Sequence, residues 1–387
     1  MATSSSVYAY VIERSKADTE FMASVSAMYK RNTAWSNFFI RSVVSILSMF
    51  RRPRKHSVRY FFWGHKYEEL ILGLDRAQIC ILGGPKQLKF CLRHGIGFIP
   101  VMHLWGPLYS GLVNLSFRSS LKGSDTVTRQ FCRFSSKRAF FVVDNDSLPM
   151  QRTMLAAFND AGVGKSICIQ HGIFQSKTPA HILDGWCADT FFVMDDNQRS
   201  VMLNHGMDSQ KLRVMGFYKS PYLPSRPLSV GATRKICFFG QPWIRYGGER
   251  ANKYFEHLSK IQKLSTTLGL EFHYKLHPWE KGLDYVKNIE GQIDCTMDRA
   301  IENYDVFISL TSTALLEAAV AGRVAVQIID SAFECDDFSQ FSTVQSIQVE
   351  SSFFEEHFKM CVAKESGPIT PALSPAKRFL TIVEGEK

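Results

Sequence analysis

Short, unbroken apolar runs recur along this chain, each separated from the next by a stretch with helical spacing, and no other feature restricts the fold as much. The first six are "VRYFFWG" (58–64), "QICILGG" (78–84), "GFIPVMHL" (97–104), "AFFVVDND" (139–146), "SICIQHG" (166–172) and "DTFFVMDD" (189–196). A strand with one wet face alternates apolar and polar residues, whereas a strand covered on both faces reads as a continuous apolar run. These runs therefore predict a parallel sheet sandwiched between helices. "SLPMQRTMLAAFNDAG", lying between two of them, has helical spacing and a terminal glycine, as a crossover helix has. Three prolines in "GFYKSPYLPSRPLSVGATR" (216–234) mark a linker. The alternation then resumes with "KICFFGQP", the helical "NKYFEHLSKIQKLSTTLG", "EFHYKLHP", "YDVFISLTS", the helical "TALLEAAVAG" and "RVAVQIID".

A chain of 387 residues is long enough for two cores. The expected fold class is α/β, with two Rossmann-like doubly wound domains facing a cleft and an N-terminal helical extension. The expected boundaries are a helical segment over 1–57, a first α/β domain over 58–220, a linker over 221–233, a second α/β domain over 234–345 and a helical tail over 346–387. Ligands of open α/β sheets bind outside the carboxyl ends of the strands, so the residues there are the ones to read for chemistry.

Charge narrows the partners. Lys and Arg outnumber Asp and Glu by 46 to 36, a formal charge of +10, which favours an anionic partner: nucleic acid, an acidic lipid surface or a phosphorylated small molecule. The cations are dispersed, without a zinc module, a basic helix or an aromatic-basic stripe, so nucleic acid is not the expected partner. Nine scattered cysteines, never in a C-x-x-C pair, give neither a disulfide framework nor a zinc knuckle and fit a reducing cytoplasm. The first residues lack the basic start and apolar core of a secretory signal. In "AWSNFFIRSVVSILSMFRRPRKH" the apolar run from Trp35 to Phe50 is interrupted by Arg41 and is too short to span a bilayer. Phe39, Val43 and Leu47 recur at four-residue spacing ahead of Arg51, Arg52, Arg54 and Lys55. Such a helix suits either an anionic membrane surface, making the protein peripheral to an inner membrane, or packing on the following domain.

Several strand ends carry candidate chemistry. In "YKLHPWE", His277 follows a strand that Pro278 terminates, with Lys275 on the same face by period-two alternation. A histidine there can donate a hydrogen bond, or a proton, to a phosphate. In "FISLTSTALLEAAVAG" four hydroxyls, Ser309, Thr311, Ser312 and Thr313, cluster where a strand passes into a helix, an arrangement that binds anions without a metal. Glu317, about one turn on, is placed to reach ribose hydroxyls. In the first domain, Asp144 or Asp146 of "VVDNDS" can take a proton from an acceptor hydroxyl, although turn and helix-cap duty accounts for at least one of them. Gln170, His171 and Gly172 end the next strand on the acceptor side, the glycine permitting close backbone approach. Asp-Asn-Asp is also a D-x-D, but the second-domain phosphate site needs no cation, so no metal and no cofactor are expected. "AGVGKS" (161–166) imitates the end of a P-loop, yet it has Asn159 at the first glycine position and precedes a strand.

Taken together, "KLHP", "SLTSTALLEAAVAG" and "IQHG" resemble bacterial glycosyltransferases of the GT-B fold that use cytidine-nucleotide donors. These are the sialyltransferases and polysialyltransferases with His-Pro and Ser/Thr motifs, the Kdo transferases and the glycerophosphotransferases of teichoic acid synthesis. The resemblance covers residues 58–345. It implies an inverting transferase that moves a CMP-activated acidic sugar onto a surface glycan, such as capsule or lipopolysaccharide, or onto a lipid-linked precursor. By that resemblance His277, Ser309, Thr311, Ser312 and Thr313 hold the donor phosphate and Glu317 the ribose, with Gly240, Gln241, Lys275 and Pro278 completing the donor set. Asp144 or Asp146 is then the base. Where the sialyltransferases have two acidic residues followed by glycine, this chain has Asp-Asn-Asp. A CDP-glycerol glycerophosphotransferase and a nucleotide-sugar epimerase share the fold and remain alternatives.

Overall fold

The computed structural model describes residues 35–102, 117–144, 149–170, 172, 188–220, 224, 234–241, 243, 248–277, 280, 284–333, 335, 337–340, 344–364 and 373–385. They divide into two compact units. The first comprises Met1–His171, Thr178–Ser220 and Leu373–Lys387, and the second Gly172–Lys177 and Pro221–Ala372. The expected linker over 221–233 falls almost wholly outside the described residues.

Among its described residues the first unit starts with helix α1 (Trp35–Ser48) and holds seven strands: β1 (Val58–Trp63), β2 (Ile79–Gly83), β3 (Gly97–Pro100), β4 (Ser135–Val143), β5 (Gly164–Ile169), β6 (Thr190–Val193) and β7 (Leu212–Val214). They form one sheet in the order β3-β2-β1-β4-β5-β6-β7, with every pairing parallel. Between and after the strands come α2 (Glu68–Leu72), α3 (Pro85–His94), α4 (Phe117–Phe134), α5 (Pro149–Ala161) and α6 (Asp196–Asn204). Alternate residues of the apolar runs serve opposite faces. Phe61 and Phe141 pack with Phe131 of α4 and Phe158 of α5, ring centroids 5.0–6.3 Å apart. Their neighbours Tyr60 and Phe140 stack with each other at 6.0 Å on the other face. Tyr60 and, from β6, Phe192 meet Phe379 of the C-terminal helix α11 (Pro375–Gly385) edge-on, at 5.9 and 5.8 Å. Two covered faces are why the runs show no alternation.

The second unit repeats the plan with β8 (Lys235–Phe239), β9 (Glu271–Lys275), β10 (Gln292–Ile293), β11 (Val306–Ser309), β12 (Val324–Ile329) and β13 (Gln345–Gln348). The sheet is again all parallel, in the order β10-β9-β8-β11-β12-β13. Its helices are α7 (Gly248–Thr267), α8 (Met297–Asn303), α9 (Ala314–Val320) and α10 (Phe354–Ala363). Phe238, Tyr254, Ile308 and Val326 sit at the centre of its core. Glycine 322 ends the turn after α9 in the left-handed region at φ 72°. Arg323 behind it is buried and donates from Nε to the Ile301 carbonyl at 2.9 Å.

The second sheet follows the order 3-2-1-4-5-6 of doubly wound folds and the first adds a seventh strand to it; among the described strands each has one switch point, between β1 and β4 and between β8 and β11. The C-terminal segment differs from the expected single tail. β13 and α10 belong to the second unit, whereas α11 returns to the first and closes its sheet. "AGVGKS" leads into β5 as expected: a Cβ on Gly164 would stand 1.8 Å from the Ala139 carbonyl oxygen, so this glycine permits the β4–β5 pairing.

Candidate functional site

The second unit's switch point gathers residues from three adjacent strands. Gly240 and Gln241 follow β8, Ser309 and Thr311 end β11, and Lys275 and His277 end β9. The Thr311 hydroxyl hydrogen-bonds the Gln241 amide oxygen across the gap between β8 and β11. Trp243 Nε1–H donates to the same oxygen at 3.0 Å, and the Gln241 backbone N–H donates to Tyr254 Oη at 3.0 Å. Gln241 is thus fixed from both strands.

His277 is held through its backbone. Its N–H donates to Glu280 Oε2 at 2.7 Å, and the Glu280 N–H returns to the His277 carbonyl at 2.9 Å, closing a turn. Glu280 is fully buried, and its Oε1 accepts from Tyr274 at 2.6 Å and Tyr285 at 2.5 Å. Tyr274 and Tyr254 hydroxyls lie 2.8 Å apart. Burial, then the Tyr254 and Glu280 neighbours, push the Tyr274 phenol well up, and burial does the same for Tyr254, so both remain protonated donors. A Cβ on Gly240 would lie 2.3 Å from Glu280 Oε2 and 2.6 Å from Tyr274 Oη, so only glycine fits beneath this turn. Pro278 lies outside the described residues.

The four hydroxyls divide their work. Ser309 is buried; its Oγ donates to the Phe239 carbonyl at 3.4 Å and accepts the Ser312 N–H at 3.3 Å. These two bonds join the end of β11 to β8. Ser312 Oγ accepts the Ala314 N–H at 3.3 Å, while Thr313, at the helix cap, makes no side-chain capping bond. Glu317 sits in the first turn of α9.

The sequence reading passed over a second cluster on the same edge. After β12, Asp330 Oδ2 lies 2.7 Å from His257 Nε2 of α7, and Oδ1 accepts the Ala332 N–H at 2.7 Å, with Lys253 Nζ at 3.9 Å. Burial pushes the Asp330 carboxyl up, but the Ala332 N–H, the His257 ring and Lys253 more than offset it, and the group rests below the usual carboxylate range. Above it Glu249, Arg250, Lys253, Ser331 and Ala332 line a cavity of about 350 Å³. Phe333 connects this cluster to the switch point through its contact with Trp243 at 5.1 Å. No motif links these residues in the sequence; they share only their place at the carboxyl end of a strand and the start of its neighbouring helix.

In the first unit, Asp144 stands directly after β4 at the switch point, with Lys66 Nζ, from the turn after β1, 3.6 Å from its Oδ2. Burial lowers the Lys66 ammonium pKa below its ordinary value and the Asp144 carboxylate opposes that only in part. His65, beside it, stacks on Phe90 at 4.9 Å, and its ring pKa is lowered, chiefly by burial. Lys66 and His65 were missed because "GHK" matches no motif. Asp146 and His171 lie outside the described residues. Gln170, expected on the acceptor side, is 2% exposed; its Oε1 accepts the Met194 N–H at 3.0 Å and its Nε2 bonds Gln198. Both ends of the amide are committed to joining β5 and β6 to α6. Among the described residues nothing stands within 4 Å of a Cβ placed on Gly172.

No protein-family model and no curated protein matches the chain. Solved structures do. HepE of Anabaena, in complex with UDP and glucose, superposes with a TM-score of 0.56 at 11% identity, covering 86% of this chain and 99% of its own. The lipopolysaccharide outer core galactosyltransferase WaaB, in its apo form, gives 0.53 at 12%, covering 85% and 99%. The UDP-GlcNAc 2-epimerase of Methanocaldococcus jannaschii, with UDP-GlcNAc and UDP, gives 0.52 at 8%, covering 85% and 99%. At these identities the likeness is one of fold. The two Rossmann-like sheets expected from the sequence are those of the GT-B fold.

Proposed function

We propose that this protein is a nucleotide-sugar-dependent glycosyltransferase whose leaving nucleotide phosphate sits at the switch point of the second unit. The observation that carries this reading is the convergence at one sheet edge of the Gln241–Thr311 bond, the His277 turn clamped by Glu280, and the cavity lined by Arg250 and Lys253. Oriented donors and cations aimed at developing charge stabilise a departing phosphate, each well-placed group contributing about 3 kcal/mol. Arg250 and Lys253 join His277, Thr311 and Thr313 as phosphate ligands, and Glu317 reaches the ribose. Ser309 and Ser312 shape the loop.

In the first unit Asp144 accepts the proton of an acceptor hydroxyl, with Lys66 orienting its carboxylate. The reaction needs no metal ion and no cofactor. The His-Pro and Ser/Thr motifs favour CMP linked to an acidic sugar, transferred with inversion to a surface glycan such as capsule or lipopolysaccharide. A second reading, a UDP-sugar transferase or epimerase, is favoured by the structural likeness to HepE and to the UDP-GlcNAc 2-epimerase, both solved with UDP. An enzyme of surface glycans works beside an inner membrane, in the cytoplasm.

Thermal unfolding with CMP, CDP, UDP and GDP, with and without EDTA, separates the readings. Stabilisation by CMP that survives chelation supports the first. A UDP-selective rise supports the second, and release of an altered nucleotide sugar without acceptor identifies the epimerase. No response to any nucleotide rules out both.

A further inference from the structure

One flank of the first unit exposes apolar side chains where a surface helix normally turns polar ones outward. Of the twelve large apolar side chains exposed among the described residues, seven lie together here: Phe39, Ile40, Ile46, Leu47, Met49, Phe50 and Leu92. Phe39, Met49 and Phe50 are 70–73% exposed. Val44 and Ser48 of α1 turn inward, so the outward face of this helix is itself apolar. Between α1 and α3 runs a groove of about 300 Å³ walled by Val43, Leu47, Leu88 and Leu92.

The helices that form it carry charge of one sign. Neither α1 nor α3 contains Asp or Glu, and no acidic residue occurs between Glu20 and Glu68 or between Asp75 and Asp125. Lys86, Lys89 and Arg93 project from α3, and Arg52, Arg54 and Lys55 follow the turn Met49–Arg51; all six are exposed. The Arg51 guanidinium, donating to the Leu92 carbonyl at 3.4 Å, and Arg52, over the Phe134 ring at 5.7 Å, tie the turn to the body of the unit. At 14 residues α1 is too short to cross a bilayer, and no helix among the described residues is long and apolar enough to do so.

We infer that this flank docks on an anionic lipid bilayer, with Phe39, Ile46, Met49 and Phe50 entering the headgroup–acyl boundary and the surrounding cations meeting acidic headgroups. A basic rim around exposed apolar side chains matches that surface and repels a basic second copy of the chain. The inference supplies the membrane partner of the proposed function but uses none of the nucleotide-site residues, so the two fail separately.

The test is co-sedimentation of the full chain with vesicles of phosphatidylcholine alone and of phosphatidylcholine mixed with phosphatidylglycerol, at low and physiological salt. Binding to the mixed vesicles that salt weakens is expected. Lys89→Gln and Arg93→Gln each lower the partition roughly fivefold. The double substitution Met49→Ser and Phe50→Ser lowers it by more than about tenfold. Both positions are exposed, so the Tm and the nucleotide response should stay at wild-type values. Absence of binding to mixed vesicles at low salt, or unchanged binding of the double variant, overturns the inference. A concentration-dependent dimer that forms without vesicle binding and is lost in the double variant overturns it too and assigns the flank to a second copy.

Discussion

Glu280 carries more of the local architecture than the histidine three residues before it. A fully buried carboxylate needs its lone pairs occupied, and here two phenols and the His277 N–H occupy them. Glu280→Ala takes an acceptor from the buried Tyr274 phenol and from the half-buried Tyr285 phenol and His277 N–H, and should lower stability by about 3 kcal/mol, a shift in Tm that differential scanning calorimetry resolves. Glu280→Gln, which still accepts from the phenols, should lose less. Gly240→Ala forces a Cβ against Glu280 and Tyr274 and should cost about 1–3 kcal/mol. Asp330 gives a pH dependence. Its folded pKa lies below the unfolded value of about 3.9, so the unfolded chain takes up that proton first as the pH falls. The stabilisation it provides is therefore intact above about pH 4 and is lost as the pH falls through the folded pKa. Asp330→Asn should be less stable than wild type at pH 7, with the gap closing in acid. At this scale the sequence showed where His277 and Thr311 stand but not what holds them. The clamps come from Glu280, Tyr285 and Gln241, whose roles depend on distances between strand ends that spacing along the chain does not encode.

Among the elements, α11 is the least expected. It lies beyond the second unit in sequence yet covers one face of the first sheet, with Phe379 between Tyr60 and Phe192 and Arg378 bonded to the Phe217 carbonyl. Phe379→Ala should destabilise the first unit by about 3–5 kcal/mol, and urea unfolding followed by near-ultraviolet circular dichroism of its aromatic core would report it. Gly164→Ala should be at least as damaging, because its Cβ would overlap the Ala139 carbonyl and force β4 and β5 apart. The interior strands were legible because burial on both faces writes a continuous apolar run. β7, β10 and β13 were not: each is an edge strand of two to four residues, partly exposed, in "LRV", "QI" and "QSIQ". An edge strand has one partner and little burial, so nothing in its composition marks it. The destination of α11 was equally hidden, since an amphipathic helix does not name the sheet it covers.

At the scale of the whole chain, two sheets that share one order over six strands each place a polar cluster at a switch point: Lys66 and Asp144 in the first unit, Gln241, Thr311 and His277 in the second. Under the proposed function, the first cluster would serve the acceptor hydroxyl and the second the leaving phosphate, the division a two-substrate transfer requires. The measurement that tests this most directly is the nucleotide-induced rise in Tm of wild type beside His277→Ala and Thr311→Val. Without nucleotide His277→Ala should unfold near the wild-type temperature and Thr311→Val, which loses the bond to Gln241, slightly below it; both should bind at least about tenfold more weakly, a loss of about 1.4 kcal/mol for each donor removed. An undiminished nucleotide response in both variants would contradict the placement of the phosphate at the second unit's switch point.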